Sequence, residues 1–516
     1  MDLRTFRTGA FAAVLFIAAS LTSADPGVAQ ETNVVRLTLE RMVELALSNS
    51  FQVRQLNMSI DRTRFSLQAQ RARLRSSIDL NVSAPDFQSI AEPRWNSVLQ
   101  REEIIHENSR RFEAELSIRQ PVILFGRPTN GYLSLNNRIY RYTQLDNEGQ
   151  RDLRYYNRYF VRYTQPLFQP NTLKNGIERA ELDLEDSQLR FNRDVVELVD
   201  DLSDDYFDLF ETSYEELIHR SHVQNLGDAV EVARTLATVD SARAIEVDQI
   251  QVEIANASEQ VRRSESQFRL NAARLRTRLN LSGTDSITLN PLISIRPITI
   301  DAELATEFAL ELTPRMRQLN INFRESEINL ENTKGRGGFR LDLALSYGRE
   351  MQDPVFDQVW DDPTNTYTID VNAYLPIWDW GERSSRIEAS RIGLDQTRLR
   401  IEQAEQSIRS DVLNQVRSVE EFEDRALAME QNLALATELS TSSLELYRQG
   451  SITAFDILQS FRRQTDTAQN FLDAYLGWRN ALLSIQELTF DDFERGLPLL
   501  QSFGFRASPD LEFDRP

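Results

Sequence analysis

Several short runs of the chain alternate strictly between apolar and polar residues. In 367–377 the set Tyr367, Ile369, Val371, Ala373, Leu375 and Ile377 is opposed by Thr368, Asp370, Asn372 and Tyr374. In 341–347 Leu341, Leu343, Leu345 and Tyr347 oppose Asp342, Ala344 and Ser346, and earlier Ile78, Leu80 and Val82 oppose Asp79, Asn81 and Ser83. Period two predicts β-strands with one apolar and one polar face. Elsewhere the period is helical and the runs are very long. Nothing between 171 and 239 stops a helix except Gly176, so this segment predicts a helix of roughly 100 Å at about 1.5 Å per residue. A second run of nearly equal length covers 382–449. Its apolar positions Val412, Val416, Val419, Phe422, Ala426, Met429, Leu433 and Ala436 are spaced by threes and fours, the seam of a coiled coil. Val195, Val199, Leu202, Tyr206 and Leu209 do the same in the first run. Shorter helices are predicted after each, at 242–281 and 453–490.

The two series are copies of one another. Leu45-Ala46-Leu47 matches Phe308-Ala309-Leu310, and in the same register Ile78-Asp79-Leu80 falls on Leu341-Asp342-Leu343. In a second register Gln165-Pro166-Leu167-Phe168 falls on Leu375-Pro376-Ile377-Trp378, and Asp240 falls on Gly450. The chain therefore divides into a first repeat at 30–291, a second at 292–495 and a tail at 496–516. The first repeat carries an insertion at about 86–155. Two strand-like runs inside it, 111–124 and 132–143, flank a GRPTNG turn signal. They fit either two added sheet strands or an external hairpin. Each repeat reads helix, strands, long helix, turn, return helix, with two shorter helices end to end matching the long one. The fold class is mainly α with β.

The strands alone fit a soluble sandwich as well as a lipid-facing sheet, for which Tyr155, Tyr156, Tyr159, Phe160 and Tyr163 would supply interfacial aromatics. The helices decide, because two walls of such height belong to a tall structure. A few strands per chain cannot close a wide barrel, and open strand edges cannot face lipid. Closure has to come from further copies of the chain around a symmetry axis.

Arg4 and Arg7 precede the apolar run AFAAVLFIAASL at 10–21, and Gly27-Val28-Ala29 follows. This is the layout of a cleaved secretory signal covering 1–29; the run is too short to span a bilayer. With no cysteine in the chain, lipoprotein processing, disulfides and thiolate chemistry are excluded. A net charge of −21 argues against nucleic acid as a partner. His219 and His222 stand at i, i+3 on a helix, without a third ligand, and read as a solvated face. No nucleophile elbow, phosphate loop or metal-ligand spacing is present. The expectation is a protein without catalytic, cofactor or metal sites.

LTLERMVELALSNS at the start of the first repeat, LTPRM at 312–316, TQPLF at 164–168, LPIWDWGERSSRI at 375–387 and YRQGSITAFDILQS at 447–460 together resemble the TolC family of outer-membrane efflux proteins. The resemblance covers 37 to about 488. It implies a homotrimer forming one β-barrel in outer-membrane lipid and one α-helical tunnel across the periplasm. It also implies partners, a periplasmic adaptor protein and an inner-membrane transporter, and a passive duct for efflux or type I secretion. A periplasmic coiled-coil scaffold without a pore is the alternative, and it would be water-soluble.

The resemblance also points to a gate at the turns. Asp456, six residues after Gly450, matches a family aspartate whose three copies ring the narrowest point; an acid near a helix N-terminus equally serves the helix dipole. Tyr447 matches a family tyrosine that braces the closed tip, and Glu246, the repeat counterpart of Asp456, could accept its hydrogen bond. Thr453 opens the return helix. Asp240 takes the place of the first tip glycine, which aspartate tolerates. Ile452 and Gln459 stand where some members carry an arginine and a second aspartate.

Overall fold

The computed structural model describes residues 34–96, 100–145, 151–281 and 286–503. The signal segment 1–29 and the end of the tail lie outside them. In chain order the elements are β1 (Val34–Arg36), α1 (Leu39–Asn49), α2 (Phe51–Ala72), β2 (Ser77–Asn96), β3 (Arg101–Leu124), β4 (Arg127–Leu145), β5 (Arg151–Leu167), α3 (Thr172–Val239) and α4 (Ala244–Arg278). The second series is β6 (Ser286–Thr288), α5 (Ala302–Glu311), α6 (Pro314–Arg336), β7 (Arg340–Asp353), β8 (Thr364–Tyr374), α7 (Glu382–Arg448) and α8 (Ala454–Thr489), followed by β9 (Asp491–Asp492), β10 (Leu497–Pro498) and α9 (Leu499–Ser502).

The long helices are α3, of 68 residues, and α7, of 67, each about 100 Å. Asn171 caps α3 by accepting the Lys174 N–H at 2.9 Å. Neither Gly176 nor a second glycine, Gly227, interrupts it. Along one stretch α3 packs on α2, with Arg71 reaching Glu181 at 2.8 Å. Along the rest it packs on α4, where Arg278 bonds both Asp201 and Asp205 at 2.5 Å. So two helices laid end to end cover one long one, and α6 and α8 do the same against α7. Each repeat opens with a short helix set off from the next where helical backbone is locally refused: α1 from α2 at Ser50, which is extended and caps α2, and α5 from α6 at Thr313-Pro314, where proline takes the first helical position. The seam valines Val412, Val416 and Val419 are buried with Leu472, Trp478 and Leu482 in the main apolar cluster.

The sheet has six strands in the order β2-β3-β4-β5-β7-β8, all antiparallel. The insertion therefore widens the sheet. Its hairpin turns at Phe125-Gly126, both with positive φ (50° and 76°), the geometry of a two-residue primed turn. The expected GRPTNG turn is displaced: Arg127 to Gly131 already belong to β4. The run 367–377 is also shortened, since β8 ends at Tyr374; Pro376 lacks an N–H and holds Leu375 out of the ladder's continuation.

The pairing register places the alternating sets on a common face. Ile78 and Leu80 of β2 lie beside Ile118 and Leu116 of β3, these beside Leu135 and Asn137 of β4, and Leu135 beside Val161 of β5. Val161 and Tyr163 lie beside Tyr347 and Leu345 of β7, which lie beside Tyr367 and Ile369 of β8. No long helix covers this apolar face; the short 3-10 turn Phe356–Trp360 folds over one end of it, where Asn157 is buried under Val359, while Ile78, Leu80, Val82, Tyr347, Ile369 and Val371 are 58–69 % exposed. The opposite face carries Glu113, Arg138, Arg158, Glu350 and Asp370. There Arg138 pairs with Glu113 and the Tyr156 hydroxyl donates to Glu350 at 2.6 Å. Tyr156 and Phe160 belong to this polar side, so only Tyr155, Tyr159 and Tyr163 of the five aromatics share the apolar face. Phe125, Phe168, Trp378 and Trp380, all exposed, gather instead where strands give way to helices.

Among the described residues no helix is long and apolar enough to cross a membrane. The tail read at 496–516 begins inside folded structure: β10 pairs with β9, and the Leu499 N–H donates to the Phe490 carbonyl at 2.9 Å.

Candidate functional site at the helical tip

The two turns that join α3 to α4 and α7 to α8 meet at one end of the helical wall. They differ in backbone, which explains their sequences. Gly450 has φ +73°. Its N–H donates to the Tyr447 carbonyl and the Ser451 N–H to the Leu446 carbonyl, both at 2.9 Å, the paired closure that requires a left-handed residue. Asp240 is extended at φ −130°. Its carboxylate accepts the Ala242 N–H at 3.0 Å and starts a short 3-10 turn, Ser241–Arg243. The first tip thus needs no glycine, because a side chain organises it.

Tyr447 is fully buried in a cluster with Leu226, Ile250, Ala454, Ile457 and Phe461. Its hydroxyl donates to Glu246 Oε2 at 2.8 Å. Burial, then the carboxylate that accepts its proton, raises the phenol's pKa, so it stays a donor at all working pH. This bond ties α7 of the second repeat to α4 of the first. A second tie was not legible in the sequence. Arg243 donates to the Gly450 carbonyl at 3.3 Å and stands 4.0 Å from Asp240. It closes on the neighbouring turn, while Ile452 lies half-buried against the apolar cluster. The available signal was the position of Arg243 in the first turn, beside Asp240, where Arg448 of the other turn is already paired with Glu445.

Asp456 and Thr453 form a reciprocal cap on α8. The Asp456 carboxylate accepts the Thr453 N–H at 3.0 Å and its hydroxyl at 2.7 Å, and Thr453 Oγ1 accepts the Asp456 N–H at 3.4 Å. These donors hold the fully exposed carboxyl below its ordinary pKa, so it carries a full charge. The structure brings Tyr447, Glu246 and Gly450 together; Asp456 is engaged with its own helix terminus and shares no bond with them.

Higher up, α3 carries Glu197, Asp200, Asp201, Asp204, Asp205, Asp208, Glu211 and Glu215 on successive turns. Partial burial, then Glu487 and the neighbouring aspartates, pushes the Asp200 carboxyl up to about 6. Asp204, Glu211, Glu215 and Glu487 shift the same way, burial again leading. The expected solvated face at His219 and His222 is corrected: His222 is only 9 % exposed, because α8 covers that stretch of α3, and burial lowers the pKa of both imidazoles. Among the described residues no group of three or more acidic or imidazole side chains has the arrangement of a metal site.

Residues 309–489 match the sequence model of the outer membrane efflux protein family. Over this stretch the chain is similar to that family. No curated protein matches the sequence. Among solved structures the chain resembles CusC with a TM-score of 0.65 at 13 % identity, over 90 % of this chain and 95 % of that one. It resembles the Campylobacter jejuni outer membrane channel CmeC with a TM-score of 0.59 at 13 % identity, over 89 % and 86 %. It resembles the Vibrio cholerae outer membrane protein VceC with a TM-score of 0.62 at 12 % identity, over 87 % and 96 %. At these identities the likeness establishes the fold, a long helical wall carrying barrel strands.

Proposed function

We propose that the protein is one of three identical subunits of an outer-membrane exit duct serving efflux or type I secretion. A cleaved signal at 1–29 exports it, its strands close a barrel in lipid, and its helices wall a tunnel reaching into the periplasm. The observation that carries this reading is the sheet. Its apolar face runs over six strands and is exposed along most of its length, its other face is charged, and among the described residues its outer strands β2 and β8 have no partner on their free edges. Lipid covers the first face, water the second, and neighbouring copies the edges. A coiled-coil scaffold without a pore leaves that apolar face facing water, and no observation favours it.

The duct is passive, and its closed end is the tip, held by the Tyr447–Glu246 and Arg243–Gly450 bonds. An adaptor and an inner-membrane transporter open it by displacing them. Val239, Ile245 and Phe455, exposed around the turns, give such partners apolar purchase. Three copies of Asp456 set an acidic ring there, in addition to capping α8. The test is conductance in planar bilayers, which the full-length protein is expected to give with a preference for cations. Asp456→Asn keeps a cap acceptor and removes the charge, so it lowers that preference while melting stays within about 1 kcal/mol of wild type. Absence of conductance even when Tyr447→Phe and Arg243→Ala remove both tip bonds rejects the duct; conductance with unchanged selectivity leaves Asp456 as a cap alone.

A further inference from the structure

Where the sheet meets the helices, four arginines line one cavity of about 420 Å³. Arg336 ends α6, Arg340 opens β7, and Arg383 and Arg386 lie in the first turns of α7. Arg386 is neutralised by Glu382 at 2.5 Å. Arg336, Arg340 and Arg383 have no ion-pair partner among the described residues. The other acid in the cavity wall, Asp379, is already committed: it accepts the Gly381 N–H at 3.0 Å and the Arg383 N–H at 3.1 Å. The Arg340 guanidinium stands 4.4 Å from the Tyr374 ring centroid, and its Nε is buried without an acceptor. Gly337 makes room for this arrangement, since a Cβ there would come within 3.0 Å of Arg383 Cγ.

In a chain of net charge −21 with 79 acidic residues, three adjacent guanidiniums without a salt-bridge partner stand out; Arg336 and Arg383 are exposed and solvated, while Arg340 is half-buried with its Nε unpaired. A buried donor left unpaired is unfavourable, and like charges repel. The cost is recovered when the counter-ion comes from outside. We infer that this cavity binds a phosphate group. Planar guanidinium forks match its oxygens in bidentate fashion where ammonium groups would not.

Two sources offer that group. Trp378 and Trp380, 74 % and 90 % exposed beside the cavity wall, sit as aromatic residues do at lipid headgroup level, which favours an anionic phospholipid. Arg340 and Tyr374 belong to the polar face of the sheet, which favours a soluble organic phosphate travelling inside.

The experiment uses purified full-length protein in two arms. One titrates glycerol 3-phosphate by calorimetry in a non-ionic detergent. The other reconstitutes the protein in phosphatidylcholine nanodiscs with a minor share of phosphatidylglycerol and counts retained lipid by native mass spectrometry. Saturable binding in at least one arm, near one per chain, is expected. It should weaken at least tenfold in Arg340→Gln/Arg383→Gln and in the charge-conserving Arg383→Lys, and be unchanged in Arg409→Gln, many turns away on α7. Retention of phosphatidylglycerol without glycerol 3-phosphate binding identifies a headgroup site; glycerol 3-phosphate binding without lipid identifies a solute site. No saturable binding by the wild type in either arm overturns the proposal, whatever the variants' folding. So does equal binding by wild type and a folded Arg340→Gln/Arg383→Gln.

Discussion

At the scale of single residues, the tip shows how one side chain can carry both packing and a polar latch. The ring of Tyr447 fills the apolar cluster, and its hydroxyl reaches out of that cluster to Glu246. Tyr447→Phe separates the two roles, since the ring stays and the donor goes. A hydrogen bond to a charged acceptor is worth about 1.5 kcal/mol net at the low end of its range, so under the proposed gate the closed tip should weaken by that order. The open fraction in planar bilayers then rises roughly tenfold. Arg243→Ala removes the other tie; because Arg243 acts on Tyr447 electrostatically and its acceptor Gly450 is bonded to Tyr447, the double variant should depart from additivity. An open fraction that Tyr447→Phe leaves untouched would show that packing alone shuts the tip. The reciprocal cap of Thr453 and Asp456 belongs to the same scale and a different job, since it fixes where α8 begins.

At the scale of elements, α3 is stabilised by apolar packing against α2, α4 and α8 and strained by its own acids. Asp200 titrates near 6, above its ordinary value of 3.8, so between these values the folded chain keeps a proton that the unfolded chain has lost. Stability therefore falls as pH rises through that window and is regained on acidification. Asp204, Glu211, Glu215 and Glu487 have the same sign. His219 and His222, lowered by burial, have the opposite one, losing stability as pH falls below about 6.5. Comparison with Asp200→Asn isolates the first effect. The variant should melt higher at pH 7.5, by on the order of 2 °C, with the gap closing toward pH 5. A lower melting temperature at pH 7.5 would mean that the charge is used in the folded wall. The sequence announced α3 and α7 almost to the residue, because nothing within them breaks a helix and Asn171 and Gly450 mark their ends. It announced the strand faces equally well, because alternation is local. It misplaced the β3–β4 turn, since a primed turn on Phe125-Gly126 is a backbone state that the stronger-looking Pro-Thr-Asn-Gly conceals. It left His222 on a solvated face and missed Arg243 and the arginine cavity, since each depends on which distant element lies opposite.

At the scale of the molecule, the deciding fact is an unfinished sheet. Among the described residues no strand pairs with the outer edges of β2 and β8, and the apolar side chains beside those edges are exposed. Both deficits are removed at once if β8 of one copy pairs with β2 of the next and the ring closes after three. Open-ended addition would instead leave two edges at every stage. Because the chain has no cysteine, this can be read by cross-linking without background. Single cysteines placed in turn at Asp79, Asn81 and Ser83 on β2 are combined with cysteines at Thr368, Asp370 and Asn372 on β8. All six are on the polar face, so lipid contacts stay intact. Strands pair at about 5 Å, within disulfide reach for residues directly opposite. At least one pairing is therefore expected to give covalent dimers and trimers under mild oxidation, ending at the trimer. A ladder running past three would replace the closed ring with a filament. Cross-links confined within one chain would mean that β2 and β8 meet each other, and that a single copy closes its own sheet.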